Sequence, residues 1–175
     1  RIDKTGENDT VLFKAKSALS TVTSKFNFVV TGDVNGSVSL FADNNFSKPN
    51  ALTGHIGGID ELKISENGSA LLSAGKDRTV RVWNLSEITQ PPIILSDHND
   101  WVWSTDFSAN NEWIFSASED GRIHVWPYSI DRMGDKLCDD LDRNMTQTEW
   151  ATYVGSDLPY EQTCENLEKL SDAGE

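Results

Sequence analysis

Two sets of side chains in this chain have the types that acyl-transfer chemistry needs. His55, Ser73 and Asp77 form one set, and His98, Ser116 and Asp120 form the other. A hydroxyl nucleophile, an imidazole that takes its proton and a carboxylate that orients the ring is the arrangement of a hydrolase triad. The same types can instead build a framework. A neutral imidazole donates from one nitrogen and accepts at the other, so it bridges a carboxylate and a hydroxyl, and an indole N–H adds a further donor. Trp83 and Trp126 each lie 28 residues beyond their histidine, which turns both sets into foursomes. A set repeated at identical spacing behaves as a structural motif. The eight residues are therefore read as two hydrogen-bonded networks, and no catalytic residue is assigned.

The elements that must position them repeat as well. Gly54–Trp83 and Asp97–Trp126 overlay without a gap, placing Ser65 on Ser108, Asn67 on Asn110, Ala74 on Ala117 and Val82 on Val125. Self-similarity at a period of about 40 residues is the mark of a repeat architecture. The runs IDELKI, ALLSA and TVRVW are short, rich in β-branched and aromatic residues, and bounded by the turns at residues 66–68 and 76–78. They read as antiparallel strands. Gly68 supplies the positive φ that a tight hairpin asks for. A polar loop with Pro91 and Pro92 then leads to Ile93–Leu95, a fourth strand. Four strands per repeat make one blade of a propeller.

Gly-His, about two dozen residues, then Ser-Ala-x-x-Asp-x-x-Val-x-Val-Trp resembles the WD repeat of β-propellers. The resemblance implies that His, Ser, Asp and Trp join the Gly-His loop to the turn between the second and third strands, through the residues named above. Two departures stand out. Trp-Asp becomes Trp83-Asn84 and Trp126-Pro127, and the second Gly-His becomes Asp97-His98. A side chain at Asp97 predicts a different loop shape before the last blade.

Residues 1–13 read as the outgoing part of an earlier blade: a strand end at Ile2, a polar loop through Gly6–Asp9, then Thr10–Phe13. Residues 14–52 are a degenerate repeat, 53–96 and 97–130 the two clear ones. In the degenerate copy Thr31, Asn35 and Phe41 occupy the Ser, Asp and Trp positions and Phe13 that of His, so the polar network is lost and apolar packing must hold the blade. Asp33-x-Asn35-Gly36 resembles the start of a calcium loop, but no Glu completes it, so it reads as a turn. Three blades cannot close a ring of four to eight. The expectation is an all-β partial propeller, the C-terminal part of a larger one, whose missing N-terminal blades are its nearest partners. After Trp126 no strand-like run follows, so the last blade lacks an outer strand.

From residue 131 the composition changes. Residues 131–175 hold twelve acidic and four basic side chains, which carry −8 of the total charge of −13. Leu137, Cys138 and Leu141 share one face of a helix over Asp135–Leu141. Thr146-x-x-Glu149 is a capping box, with Met145 and Trp150 placed as a hydrophobic staple. Trp150, Tyr153 and Val154 line one face before Gly155 stops the second helix. Two short helices packed on the last blade are expected, followed by an extended DLPYEQTC segment. LCDDLDRNMTQTEWATYVGSDLPYEQTC also resembles the segment that closes propellers in large bacterial signalling proteins. Arg143, Asn144, Glu149, Trp150, Tyr153, Pro159, Tyr160, Thr163 and Cys164 carry that likeness. It implies a WD-repeat sensor downstream of a STAND-type nucleotide-binding domain and a caspase-like or other effector.

Both cysteines, Cys138 and Cys164, lie in the tail. A disulfide between them is geometrically possible, but the reducing cytoplasm implied by that resemblance favours free, buried thiols. Two Cys with no spare His fall short of a zinc site, so no metal is expected. No Walker A sequence, dinucleotide fingerprint or nucleophile elbow occurs, so no cofactor is expected. No signal peptide or membrane-spanning stretch is visible. Negative charge disfavours nucleic acid and anionic membranes. What remains is surface. Ile56, Lys76 and Arg78 of one repeat and Asn99, Asp100, Trp101, Trp103 and Glu119 of the next lie near the rim that the networks define. Trp101 and Trp103 flank Val102, which aligns with the core residue Ile59, so alternation points both indoles away from its face. Packing between blades stays open for them, for Trp103 above all, and Trp101, nearer the loop, is the better candidate for an exposed anchor. The favoured reading is a non-catalytic module that binds a protein or peptide. An assembly scaffold of eukaryotic type is the alternative, and a propeller enzyme acting through the central channel ranks last.

Overall fold

The computed structural model describes residues 11–43, 45–154 and 159–167. The readings made above for residues 1–10, and for Gly155 as a helix stop, lie outside the described residues. The chain divides into two compact units, Arg1–Trp126 and Pro127–Glu175.

The first unit is built of three antiparallel sheets in which each strand pairs with its neighbour in sequence. The first sheet holds β1 (Leu19–Lys25), β2 (Phe28–Asp33), β3 (Val38–Ala42) and β4 (Asn50–Leu52). The second holds β5 (Ile59–Ile64), β6 (Ala70–Gly75), β7 (Val80–Asn84) and β8 (Ile93–Leu95). The third holds β9 (Val102–Phe107), β10 (Trp113–Ser118) and β11 (Ile123–Pro127), with no fourth strand among the described residues. The fold is a partial propeller of all-β blades with a short helical tail.

Burial explains the strand sequences. β6 is buried along its whole length, so every position is small or apolar except Ser73, which serves the network. Val30, Val38, Leu40, Leu52, Ile59, Leu62, Ile64, Leu71, Trp83 and Leu85 form one continuous core spanning the first two blades. The third sheet repeats the apolar pattern without the cover. Val80 and Val82 are 0% and 6% exposed, whereas Ile123 and Val125 at the matching positions are 73% and 53% exposed. Burying such a side chain stabilises a fold by about 1.5–3 kcal/mol, so this face of the third sheet forgoes energy that the middle blade gains.

Turn chemistry is repeated with substitutions. Gly36, Arg78 and Gly121 hold one equivalent position at φ +90°, +69° and +77°. Phe26, Gly68 and Asn111 hold another at +55°, +72° and +53°. Phe26 is the costly member of that trio, since a bulky side chain disfavours the left-handed region. Its ring lies against the Cα of Gly68 in the next blade, where an added Cβ would sit 2.9 Å from it. At Gly54 the Arg81 guanidinium fills the space a side chain would need and donates to the Gly54 carbonyl at 2.8 Å. The third blade changes both residues together. His124 replaces Arg81 and stacks on Trp126 at 5.2 Å, and Asp97 replaces the glycine.

In the degenerate blade, Phe13 meets Phe41 edge to face at 4.9 Å where the other blades place His and Trp. Apolar packing is not its only tie. Asp33, one strand position before the matching turn, accepts from the N–H groups of Asn35 and Ser37 at 2.9 and 2.8 Å and from the Ser17 hydroxyl. The Asp33-x-Asn35-Gly36 stretch is thus a turn closed by its own carboxylate.

The second unit contains α1 (Ile130–Asp139) and α2 (Gln147–Tyr153). α1 starts five residues earlier than its apolar periodicity predicts and ends before Leu141. Ser129 caps it by accepting from the Arg132 N–H. α2 carries the Thr146–Glu149 capping box. Arg143 grips Glu149 with two parallel hydrogen bonds of 2.7 and 2.8 Å. Trp150 packs edge to face on Tyr160 at 5.6 Å, and the Tyr160 hydroxyl donates to the Met145 carbonyl. Tyr153 is 77% exposed, so the apolar stripe predicted for α2 is only partly covered.

One expectation is corrected here. Cys138 and Cys164 are joined in a disulfide, with their Cα atoms 5.5 Å apart, rather than lying free. The buried Asn144 brings the two segments together. Its side chain accepts from the Cys164 N–H at 2.9 Å and donates to the carbonyls of Cys164 and Leu167. The compartment argument for free thiols could not register that positioning.

Candidate functional site

In the middle blade the His55 ring lies between β6 and the turn that follows it. Its Nδ1 is 2.8 Å from Asp77 Oδ2 and its Nε2 is 2.8 Å from Ser73 Oγ. Ser73 Oγ also accepts from Trp83 Nε1 at 2.9 Å, which closes the foursome. The last blade repeats the geometry with His98, Asp120, Ser116 and Trp126 at 3.2, 2.8 and 2.9 Å. Ser73 and Ser116 are 0% and 1% exposed. A nucleophile must meet its substrate, and both hydroxyls are spent holding an indole and an imidazole. The arrangement fixes structure and offers no room for acyl transfer.

The carboxylates do the further work of tying the rim together. Asp77 accepts from the Ile56 N–H at 3.1 Å and from the Thr79 hydroxyl at 2.8 Å, and Asp120 accepts from the N–H groups of Asn99 and Arg122, both at 2.9 Å. Burial alone would raise the Asp77 carboxyl. The hydrogen bonds from His55, Thr79 and Ile56, with the nearby imidazole, outweigh it and hold the group well below the usual range. Asp120 is held at about 2, chiefly by the Asn99 N–H, with Arg122 and His98 adding to it against partial burial. Each His-bearing loop is therefore pinned to the turn of its own blade.

Around this framework the rim residues reach solvent. Ile56 is 91% exposed. Lys76 and Arg78 are exposed on the turn of the middle blade, and Asn99, Asp100 and Glu119 on the last. Trp101 and Trp103 are each 42% exposed, while Val102 between them is fully buried. The indoles meet edge to face at 5.6 Å. Trp103 Nε1 donates to Glu119 at 2.7 Å. Lys76 Nζ sits 4.8 Å from the Trp101 ring centre and 5.9 Å from that of Trp103, so these four residues form one corner between two blades. Among the described residues Ile56, Arg78 and Asn99 make no hydrogen bond, ion pair or ring contact with those four. Asp100 Oδ1 accepts from the Trp101 N–H at 2.8 Å.

Sequence reasoning missed Asp60, whose Oδ2 is buried without a hydrogen-bond partner. Its carboxyl is pushed up by burial, an effect the neighbouring Lys76 charge opposes. The gapless overlay that placed Trp103 also places Asp60 at its counterpart position, and that was the available signal. Also missed was Glu61, which accepts from the Ser104 hydroxyl and the Thr105 N–H and so joins the second and third blades. Among the described residues no group of three or more His, Cys, Asp or Glu side chains is arranged to hold a metal ion. No helix of the described residues is long and apolar enough to cross a membrane.

Comparison with known proteins meets this geometry in the same places. Residues 47–84 and 89–127 each match the family described as WD domain, G-beta repeat. The chain is 31% identical over 98 residues to the periodic tryptophan protein 2 homolog of Schizosaccharomyces pombe, covering 55% of this chain and 12% of that protein. It is 30% identical over 88 residues to human F-box/WD repeat-containing protein 9, covering 45% of this chain and 19% of that protein. It is 33% identical over 82 residues to bovine striatin-3, covering 41% and 10%. The chain thus spans less than a fifth of each relative. Strand order, the doubled network and both matched segments converge on one architecture, a partial propeller of WD repeats.

Proposed function

We propose that this chain is a non-catalytic module that binds a protein or peptide at the rim carrying Ile56, Lys76, Arg78, Asn99, Asp100, Trp101, Trp103 and Glu119. The observation that carries the reading is the contrast between framework and rim. The polar residues that could do chemistry are buried and consumed by one another, while two tryptophans lie half-exposed where the loop pinned by Asp120 runs into β9. Half-exposed aromatic residues on a rigid support are what interface hot spots are made of. Aromatic anchors lose little conformational entropy on binding when their backbone is already fixed.

The parent protein is proposed to be a larger signalling protein of the bacterial STAND type, with further blades covering the bare face of the third sheet. The Arg143–Cys164 string supports this placement. The alternative, an assembly scaffold of eukaryotic type, is favoured by a separate observation: the three relatives named above come from yeast, human and cow. Neither nucleic acid nor an anionic membrane is proposed as a partner, given the net charge of −13.

The test is selection of peptides from a random displayed library on the full chain, with each binding site mapped by amide shifts. Selected peptides are expected to perturb residues 56, 76–78, 99–103 and 119. Trp101→Ala should weaken their binding at least tenfold without lowering the melting temperature as Trp126→Ala does. Peptides that settle elsewhere, or a folded chain that selects none, would overturn the module reading.

A further inference from the structure

The two junctions between successive blades are built differently at the rim. Between the first and second blades the approach is backbone to backbone. A Cβ on Gly58 would meet the Val34 carbonyl oxygen at 2.8 Å, and one on Gly36 would meet the Gly57 carbonyl at 2.7 Å. By the overlay of repeats, the counterpart of Gly58 is Trp101, that of Val34 is Lys76, and that of Asp60 is Trp103. At the second junction a closed seam is therefore replaced by two indoles, a lysine and the Glu119 carboxylate.

That corner already holds a cation. The Lys76 ammonium lies over both ring systems, and its charge works against the burial that pushes the half-buried Asp60 carboxyl up. Lys76 itself is exposed, and no ion pair is made by its Nζ among the described residues. Its flexible stem can swing out, whereas Trp103 stands on β9 and Trp101 immediately before it. The fixed parts, two aromatic faces meeting edge to face, are what an incoming cation needs.

Resting on the module reading above, we propose that the Trp101–Trp103 corner takes a lysine or arginine side chain of the bound peptide, and that Lys76 occupies this place in the free chain as an internal competitor. Binding then exchanges one cation for another, and Lys76 moves to solvent. An acidic peptide would require the reverse, with Lys76 as its receptor. The two directions give opposite answers to one substitution.

The probes are three capped pentapeptides, Gly-Ala-X-Ala-Gly with X as Lys, Arg or Glu, titrated into the full chain. The readouts are the indole N–H resonances of Trp101 and Trp103. The Lys and Arg peptides are expected to shift both resonances with millimolar affinity, and the Glu peptide to leave them in place. Lys76→Ala should tighten binding about two- to fivefold, the worth of one exposed cation–π contact. That substitution leaves both rings intact, which keeps the test decisive if Trp101→Ala unsettles the fold. Preference for the Glu peptide, weaker or unchanged binding in Lys76→Ala, or no response to any probe overturns the proposal. Library peptides that are acidic or apolar yet still map to the rim would sink the cation corner alone and leave the module reading standing.

Discussion

Removing the hydroxyl of Ser73 should destabilise the chain, and removing that of Thr31, its counterpart in the first blade, should not. Ser73 Oγ bonds both His55 Nε2 and Trp83 Nε1, and it is wholly buried, with Trp83 4% and His55 8% exposed. Ser73→Ala leaves an indole N–H and an imidazole nitrogen unpaired where water does not reach. Each orphaned group costs about 1–3 kcal/mol. Because both share one oxygen the losses overlap, and about 2–4 kcal/mol is expected in total. Thr31 Oγ1 is buried with no partner. Thr31→Val keeps the shape and discards a hydroxyl that forfeited its water, so a gain of about 1 kcal/mol is expected. Ser116→Ala should fall between them, at about 1–2 kcal/mol, because Trp126 is only partly buried and water can replace the lost acceptor. Urea unfolding followed by near-ultraviolet circular dichroism measures all three as midpoint shifts at constant slope. A loss under about 0.5 kcal/mol for Ser73→Ala, or a larger loss for Thr31→Val, would refute the network as the source of stability.

Acid should unfold the chain in a defined window. Asp77 and Asp120 are depressed in the folded state, Asp120 to about 2. Their contribution is complete above the ordinary carboxylate value of about 3.9 and is lost as pH falls through the folded values. Melting temperatures at pH 5, 3 and 2 should drop steeply in the native chain and less in Asp77→Asn, and equal slopes would contradict the assignment. Gly68→Ala should cost about 1–2 kcal/mol for its left-handed backbone and more for the Phe26 ring, whereas Gly121→Ala, with open space around it, should cost the backbone part alone. The difference between their unfolding midpoints isolates the steric share, and a larger loss at Gly121 would exclude it. Reducing the Cys138–Cys164 bond opens a loop with a sequence separation of 26 and should lower the stability of the tail by about 3–4 kcal/mol. Faster hydrogen exchange at the Cys164 amide, which donates to Asn144, is the readout, and unchanged exchange would show that Asn144 alone holds the segment.

Much of the framework was legible because its signals are local and periodic. The strand runs, the turn glycines and the 28-residue spacing of histidine and tryptophan each depend on residues that meet within one repeat. The Thr146–Glu149 box predicted α2 for the same reason. α1 was displaced because its start rests on Ser129 and an N–H three residues on, with no apolar periodicity to announce it. The disulfide was misread because the deciding fact is three-dimensional: Asn144 bonds to a residue 20 positions away. At the rim, alternation placed Trp101 and Trp103 outward. Lys76, which lies against both rings, comes from the neighbouring blade, and nothing in a single repeat reveals what the next one presents.

The pairing of Arg81 with Gly54 has a consequence for anyone who would shuffle these repeats. Their loops look like interchangeable parts, yet the guanidinium sits where a side chain at position 54 would begin, and one repeat later a histidine stacked on tryptophan stands at its place. Aspartate grafted alone at position 54 would make Arg81 shift aside, and histidine grafted alone at position 81 would leave the Gly54 carbonyl without its donor. A graft that carries both positions avoids either adjustment.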